Sequence, residues 1–173
     1  MKSTNPNQAP FPIEFTGDNT LFVPKGDDML TSVLAVSKEL KSEGKTVVIT
    51  DSYIFKPKPV NANHVNEVIK VLTSLKAKKI VFVSERGWGD KTIRTSVEQA
   101  LSSQGCTVEY HSKKNIHDRL WICVEEKTGL DMHSLNGIGI STCVLTPLLQ
   151  ADVEAFIQYL VQRGVLNNAS ASE

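Results

Sequence analysis

The sequence predicts an α/β fold in which helices cover both faces of one layered sheet. Apolar runs typical of buried strands alternate with segments whose apolar residues recur at helical spacing. Two of these runs, residues 46–50 and 80–83, are short and rich in β-branched side chains, as strands buried on both faces are. The length of 173 residues suffices for one domain with a substantial core.

Composition and charge limit the class of protein. Lys plus Arg total 19 and Asp plus Glu total 19, so no global field attracts a nucleic acid or a membrane. No apolar run is long enough to span a bilayer or to form a signal-peptide core. The three cysteines lie singly in or beside apolar runs, as reduced cysteines do. We therefore expect a cytoplasmic protein without a disulfide, a metal or another cofactor.

The domain organisation is simple. Residues 1–10 are polar and rich in Asn and Pro, and residues 167–173 are small and polar, so we expect both ends to be disordered. The chain between them shows no internal repeat and no linker composition. Residues 11–166 are therefore predicted to form a single domain.

Two short strands and a helix come before the first buried strand. The strands are predicted at 12–15 and 20–23, around a turn that contains Gly, Asp and Asn. Asp27 or Asp28 can cap a helix that runs to about Ser42.

Turn and capping residues separate the later elements. Residues 56–59, rich in Lys and Pro, cannot be helical, and Asn61 or Asn63 can cap the helix that follows. Pro147 can start the last helix and Gly164 can end it. Between these points the sequence predicts helices up to about residue 76 and at 91–104, strands at 46–50, 80–83, 107–110 and 142–146, and a hairpin from 117 to 134.

Polar residues follow each buried strand. Because ligands of parallel sheets bind beyond the carboxyl ends of the strands, we expect these residues to share one rim. If the hairpin starts antiparallel to the strand at 107–110, then His117 and Ser134 join that rim. The residues after the strands are Asp51, Ser52 and Tyr53, then Ser84, Glu85 and Arg86, then His111, Lys113 and Lys114.

An imidazole, a guanidinium, a hydroxyl and an amide would meet on such a rim, and this set suits the anionic oxygens of a phosphate. The candidate residues are His117, Arg119, Ser134 and Asn136, with Asp51, Tyr53, Lys113, Lys114 and Asp118 as further ligand-binding groups.

Each candidate also has an ordinary structural interpretation. His117 fits a loop histidine that hydrogen-bonds Asp118, and Arg119 fits a structural ion pair with Asp118 or Asp51. A strand-exit turn favours Asp and Ser without any ligand. The serine and the asparagine fit turn chemistry before Gly137, and charged lysines are common in loops.

Three segments resemble motifs of the phospholipase D superfamily. The resemblance is to its divergent bacterial and phage members with a His-Asp-Arg motif, and to the related C-terminal domain of MIT-domain proteins. It covers residues 28–163 in outline and implies a phospholipase D-like fold. The segments are Thr-Asp-Ser-Tyr-Ile at 50–54, His-Asp-Arg-Leu-Trp-Ile at 117–122 and Ser-Leu-Asn-Gly-Ile-Gly at 134–139.

The resemblance also implies roles for these residues. In the superfamily one histidine attacks phosphorus, a second protonates the leaving oxygen, and lysine and asparagine hold the phosphate. Carried over, His117 is the nucleophile or acid, Arg119 takes the place of the lysine, and Ser134 and Asn136 bind phosphate. Because the chain has one such motif, the resemblance implies a homodimer in which two His117 residues face each other.

Two functions fit this resemblance, and whether the chain is an enzyme stays open. One is a metal-independent phosphodiesterase or nuclease that acts on or binds nucleic-acid phosphodiesters. The other is an inactive module that binds a phosphate-bearing ligand or a protein partner, in the setting of phage–host defence. The chain departs from the family pattern where Arg119 replaces lysine, Val124 stands at the motif aspartate and His133 replaces a glycine. Arg119 and Val124 favour the second function, whereas the intact His117, Ser134 and Asn136 favour the first, which is the function we predict from the resemblance.

Overall fold

The computed structural model describes residues 15–16, 20–23, 29–56, 63–85, 87, 89–116, 118–132 and 143–167, and it confirms the α/β class. Helices pack on both faces of an eight-stranded sheet. The strands are β1 (Phe15–Thr16), β2 (Thr20–Val23), β3 (Thr46–Thr50), β4 (Lys79–Ser84), β5 (Thr107–Ser112), β6 (Leu120–Cys123), β7 (Thr128–Met132) and β8 (Cys143–Pro147). The helices are α1 (Met29–Ser37), α2 (His64–Ser74), α3 (Lys91–Ser102) and α4 (Gln150–Gln162).

The sheet is mixed rather than parallel throughout. Its order is β1-β2-β8-β7-β6-β3-β4-β5, and the parallel pairs are β3 with β4 and β4 with β5. The sequence left the strand order open and offered a position beside β5 for the hairpin of β6 and β7. In the structure β6 pairs antiparallel with β3, so that Ile49 lies opposite Trp121. Every residue of β3 is buried, whereas every residue of β5 is at least partly exposed. The apolar β6 therefore buries more surface beside β3 than it would beside β5.

The core lies on both sides of the sheet. Helices α1, α2 and α3 cover one face, where Trp121 and Phe82 are each 1% exposed. Helix α4 covers the other face through Val153, Ile157 and Leu160. Each such side chain contributes about 1.5–3 kcal/mol when it is fully buried. No helix among the described residues combines the length and apolar character needed to cross a membrane.

The helices follow the predicted apolar spacing. Ile93, Val97 and Leu101 of α3 recur every four residues and are buried. The carboxylate of Asp90 caps α3 by accepting hydrogen bonds from the N–H groups of Thr92 (2.7 Å) and Ile93 (3.1 Å). Asn63 stands at the N-cap of α2, as predicted.

Several predicted boundaries are wrong. Pro147 does not start the last helix but ends β8, because it still pairs with β7, and α4 begins at Gln150. The first helix ends at Ser37 rather than Ser42, because a short 3₁₀ turn follows and Lys41 adopts a left-handed conformation. The Ser42 hydroxyl then donates to the carbonyl of Leu75 (2.8 Å), which ties this turn to the end of α2. Of the strand predicted at 12–15, only residue 15 is described, and it lies in β1, which includes Thr16 as well. Apart from Asn167, the ends predicted to be disordered lie outside the described residues.

The amino end of β3 is held by hydrogen bonds to the segment that follows β6. The Glu125 carboxylate accepts hydrogen bonds from the backbone N–H (2.8 Å) and hydroxyl (3.0 Å) of Thr46, and it pairs with Lys78 (3.1 Å). Burial raises the pKa of Glu125, but the hydrogen bonds from Thr46 and Lys78 outweigh burial and leave that pKa below its ordinary value. Ionised Glu125 therefore stabilises the pairing of β3 with β6.

We expect Glu125→Gln to lower the free energy of unfolding at neutral pH by about 1–2 kcal/mol, because a charge-assisted set of hydrogen bonds is lost. A depressed carboxyl pKa stabilises the fold above the unfolded pKa, and this stabilisation is lost as the pH falls through the folded pKa. The difference between wild type and variant should therefore shrink below about pH 4.3.

Urea denaturation across pH measures this difference. The matched control is Glu126→Gln, which removes the neighbouring, exposed carboxylate that pairs with Lys45. A small effect of the control beside a large, pH-dependent effect at Glu125 is expected. Equal effects of the two variants would contradict the role assigned to Glu125.

Candidate functional site

Four loops meet at the carboxyl ends of the parallel strands, and we call them together the carboxyl-end rim. Strands β3, β4 and β5 end there, and β6 begins there because it is antiparallel to β3. The prediction that polar strand-exit residues share one edge is therefore confirmed for residues 51–53, Glu85, Lys113 and Lys114. It is wrong for His111, which lies within β5 and pairs with Glu109 at 3.6 Å. The rim comprises residues 51–56 after β3, Glu85 after β4, residues 113–115 after β5, and Asp118 with Arg119 before β6.

The turn after β3 has a fixed shape. Asp51 is only 5% exposed, and its carboxylate accepts a hydrogen bond from the N–H of Tyr53 (2.8 Å). The N–H of Lys56 donates to the carbonyl of Tyr53 (2.9 Å), which closes the turn. Ile54 and Phe55 are buried below it. The half-buried Tyr53 is thus held at the top of the sheet by its neighbours in the chain.

Two cations lie over the ring of Tyr53. The guanidinium carbon of Arg119 is 5.0 Å from the ring centroid, and the ammonium nitrogen of Lys56 is 4.0 Å from it. The described residues show no ion pair between Arg119 and Asp51 or Asp118, the structural alternative that the sequence left open. A cation–π contact is worth about 0.5–1 kcal/mol at an exposed site and leaves the charge available to an anion.

The buried Thr50, at the end of β3, fastens the strand entry that carries Arg119. Its hydroxyl donates to the carbonyl of Asp118 (2.6 Å) and accepts from the N–H of Leu120 (2.8 Å). The carbonyl of Arg119 accepts from the N–H of Met132 in β7 (3.0 Å). Residues 118–120 are therefore held between β3 and β7, beside the turn that carries Tyr53.

The sequence analysis did not identify Thr50 as a site residue. The available signal was its position as the last residue of a buried β-branched run. A buried hydroxyl at a strand end needs a hydrogen-bond partner, and the chain that enters the neighbouring strand supplies it.

The loops after β4 and β5 are held by backbone contacts. The N–H of Lys113 donates to the carbonyl of Ser84 (3.1 Å), and the N–H of Asn115 donates to the Glu85 carboxylate (3.1 Å). Arg163 of α4 donates to the carbonyl of Lys114 (2.9 Å). The side chains of the two lysines form no ion pair with any described residue. Lys113 and Lys114 therefore add positive charge to the rim.

The structure brings some predicted site residues together and leaves others apart. Asp51, Tyr53 and Arg119 form one cluster, and Asp118 is exposed beside it. Lys113 and Lys114 follow β5, which lies two strands from β3 and hence about 10 Å away. His117, Ser134 and Asn136 lie outside the described residues. The residues next to His117 in the sequence, Ile116 and Asp118, are described.

A metal site and a cavity are the other kinds of site to consider among the described residues. No three of its His, Cys, Asp or Glu side chains cluster as metal ligands would. A cavity of about 390 Å³ opens on the α4 face of the sheet, and Lys78, Lys79, Glu109 and Glu125 contribute charges to its wall. These charges are already paired, Lys79 with Glu109 (2.8 Å) and Lys78 with Glu125 (3.1 Å).

We expect Thr50→Val to destabilise the fold by about 1–3 kcal/mol, because the N–H of Leu120 and the carbonyl of Asp118 lose their partner. Thr50→Ser keeps the hydroxyl and should cost less than about 1 kcal/mol, the value of one buried methyl group. Urea denaturation gives both values, and amide exchange at Leu120 reports the hydrogen bond directly. If the Leu120 amide exchanges equally fast in both variants, Thr50 does not hold this strand entry.

Comparisons with known proteins do not assign a family. The sequence matches no protein-family model, and no curated protein is significantly similar to it. Among solved structures, the chain is similar to one described as "Structure of TrmBL2, an archaeal chromatin protein, shows a novel mode of DNA binding", with a TM-score of 0.45 and 14% sequence identity. The alignment covers 91% of this chain and 55% of that chain. A similarity this distant does not indicate a function.

Proposed function

We propose that the carboxyl-end rim binds the phosphodiester backbone of a nucleic acid. The observation that carries the proposal is the pair of cations, Arg119 and Lys56, over the ring of Tyr53. Neither cation is ion-paired within the described residues. An aromatic ring orients a guanidinium without neutralising it, so its N–H groups can donate to phosphate oxygens.

The distribution of ion pairs across the sheet supports this choice of surface. Near the amino ends of the parallel strands, lysines pair with glutamates. The pairs are Lys45 with Glu126, Lys76 with Glu43, Lys78 with Glu125 and Lys79 with Glu109. At the rim, Lys56, Lys113, Lys114 and Arg119 have no carboxylate partner within the described residues. Within the described residues, four cations without a carboxylate partner thus lie together at the rim, although the net charge of the chain is zero.

The spacing of these cations favours a polymer over a small phosphate compound. Arg119 and Lys56 lie beside β3, and Lys113 and Lys114 lie about 10 Å away beyond β5. A single phosphate group cannot contact both clusters. Successive phosphates of one nucleic-acid strand can contact both clusters. Contacts to several backbone phosphates are also what give nucleic-acid binding much of its affinity.

Labelled single-stranded and duplex oligonucleotides, followed by fluorescence anisotropy across salt concentrations, test this binding. Arg119→Gln and the double variant Lys113→Gln with Lys114→Gln should both weaken it. For single strands, the slope of log K against log salt should fall by about 0.7 for Arg119 and about 1.4 for the two lysines.

The matched control is Lys70→Gln, an exposed lysine on α2 that has no ion pair among the described residues. The affinity of the Lys70→Gln variant, and the slope of its log K against log salt, should equal those of the wild type. If Lys70→Gln weakens binding as much as the rim variants do, binding reflects general charge rather than a site.

A second candidate function is cleavage of the bound phosphodiester by His117. The resemblance to the phospholipase D superfamily suggests it, and the contact between Arg119 and Tyr53 favours it because this contact joins two of the three matching segments. In this candidate His117 attacks phosphorus or protonates the leaving oxygen, Ser134 and Asn136 hold the phosphate, and a second copy supplies the other histidine. The mechanism needs no metal, since a covalent phosphohistidine replaces a metal-activated water.

The replacement of the motif aspartate by Val124 does not affect the rim. Val124 follows β6 and is buried on the α4 face, 2% exposed. Val124 lies five positions after Arg119 along an extended chain, a span of roughly 16 Å. A side chain at this position therefore cannot contact the rim.

Incubation of DNA and RNA with the wild type and with His117→Ala, with chelator throughout, tests cleavage. Products from the wild type alone are expected if His117 is catalytic. Binding without cleavage, or cleavage that survives the substitution, would contradict this candidate and leave the rim as a binding surface.

A further inference from the structure

We propose that the outer edge of β5 is an interface with a second copy of this chain, in which two β5 strands pair antiparallel about a two-fold axis at Tyr110. The two sheets would then form one continuous sheet. This inference goes beyond the proposed function and does not depend on it.

The edge of β5 is well formed for pairing. All six residues of β5 pair in unbroken register with β4, and the strand contains no proline. The opposite edge strand, β1, has only two residues. Sheet edges that avoid association are usually short, bulged or interrupted by proline, and β5 has none of these features.

The direction of the backbone groups fixes which residues can bond to a partner. The N–H groups of Thr107 and Lys113 donate to β4, at 2.9 Å and 3.1 Å. Because inward and outward groups alternate along a strand, Val108 and Ser112 direct their N–H and C=O groups away from β4. A two-fold pairing must therefore match even-numbered residues with even-numbered residues.

Charge favours the register with its axis at Tyr110. With the axis at Glu109, two glutamates would face each other, which is unfavourable. With the axis at His111, Glu109 would face Lys113, but two histidines would face each other. With the axis at Tyr110, Glu109 faces His111 of the second copy and Val108 faces Ser112. Glu109 and His111 project to the same face of the sheet, where they already lie 3.6 Å apart within one chain. This register thus places a carboxylate opposite an imidazole on each side of the axis.

Helix α3, above β5, repeats this complementarity. The guanidinium of Arg94 lies 5.4 Å from the ring of Tyr110, and Glu98 is close enough to Tyr110 to help raise the pKa of its hydroxyl, a shift that burial dominates. A two-fold rotation about an axis at Tyr110 exchanges the two ends of α3. Arg94 of one copy then lies across the joined strands from Glu98 of the other copy. Opposite charges then flank the joined strands.

This dimer has a consequence for the carboxyl-end rim. Because the two β5 strands run in opposite directions, the two rims lie at opposite ends of the joined sheet. The dimer can hold two separate phosphate-bearing segments. A second copy bound in this way cannot contribute a residue to the rim of the first copy.

Cross-linking tests the register. The double variant Glu109→Cys with His111→Cys places cysteines opposite each other at a pair whose Cα atoms are about 4.5 Å apart, within disulfide reach. Mild oxidation should convert it to a covalent dimer. Glu109→Cys alone should stay uncross-linked. The wild type, which contains Cys143 besides the buried Cys106 and Cys123, is the control for cross-linking by the native thiols and should also stay uncross-linked. Equal cross-linking of the single variant, or none of the double variant, would overturn the register.

Sedimentation of the full-length chain over a concentration series tests the interface itself. The wild type should form a reversible dimer. Ser112→Pro removes an outward N–H from each copy and should weaken the dimer about tenfold or more, whereas Ser112→Ala keeps the backbone and should not. Circular dichroism shows whether Ser112→Pro is folded. A wild type that stays monomeric at every concentration, or a folded Ser112→Pro that dimerises like Ser112→Ala, would refute the proposal.

Discussion

The pairing of β6 with β3 is the constraint on which the candidate site depends. It is fastened at both ends by threonines of β3. At one end Thr46 donates to the Glu125 carboxylate, and at the other Thr50 bonds to the carbonyl of Asp118 and the N–H of Leu120. Because β6 is inserted there, the chain that leaves β5 must cross the end of the sheet to reach β3. That crossing brings Arg119 over Tyr53.

The two ends of the parallel strands then differ in electrostatics. At the amino ends, carboxylates and lysines neutralise one another in ion pairs that are mostly exposed and individually weak. At the rim, the turn after β3 uses its one buried carboxylate, Asp51, to bond its own backbone. Cations remain there with an aromatic ring as their neighbour. This difference, rather than the net charge of the chain, is the basis for the proposal that the rim binds a polyanion.

Periodicity was sufficient for the local structure and insufficient for the strand order. The β-branched run of β3 and the four-residue spacing of Ile93, Val97 and Leu101 in α3 encode burial, and burial identified the elements. Strand order depends on which neighbour covers the most apolar surface, and a single run does not encode that. The sequence therefore could not decide whether the hairpin lies beside β5 or beside β3.

Helix ends and site contacts were hard to predict for a related reason. The end of α1 depends on a hydrogen bond from Ser42 to Leu75, a residue remote in sequence. Asp51, Tyr53 and Arg119 were identified as candidates because polar residues at strand ends are informative. The cation–π arrangement and the role of Thr50 were not, since each joins segments more than sixty residues apart.

The most direct test of the central claim is a titration of the isotope-labelled protein with a short oligonucleotide, followed by backbone amide chemical shifts. The account predicts that the largest shifts cluster at residues 51–56, 113–116 and 118–120. It also predicts that the residues around Lys78 and Glu125, at the opposite end of the sheet, do not shift. Shifts that cluster at that opposite end, or an absence of shifts at saturating oligonucleotide, would show that the rim is not a nucleic-acid site.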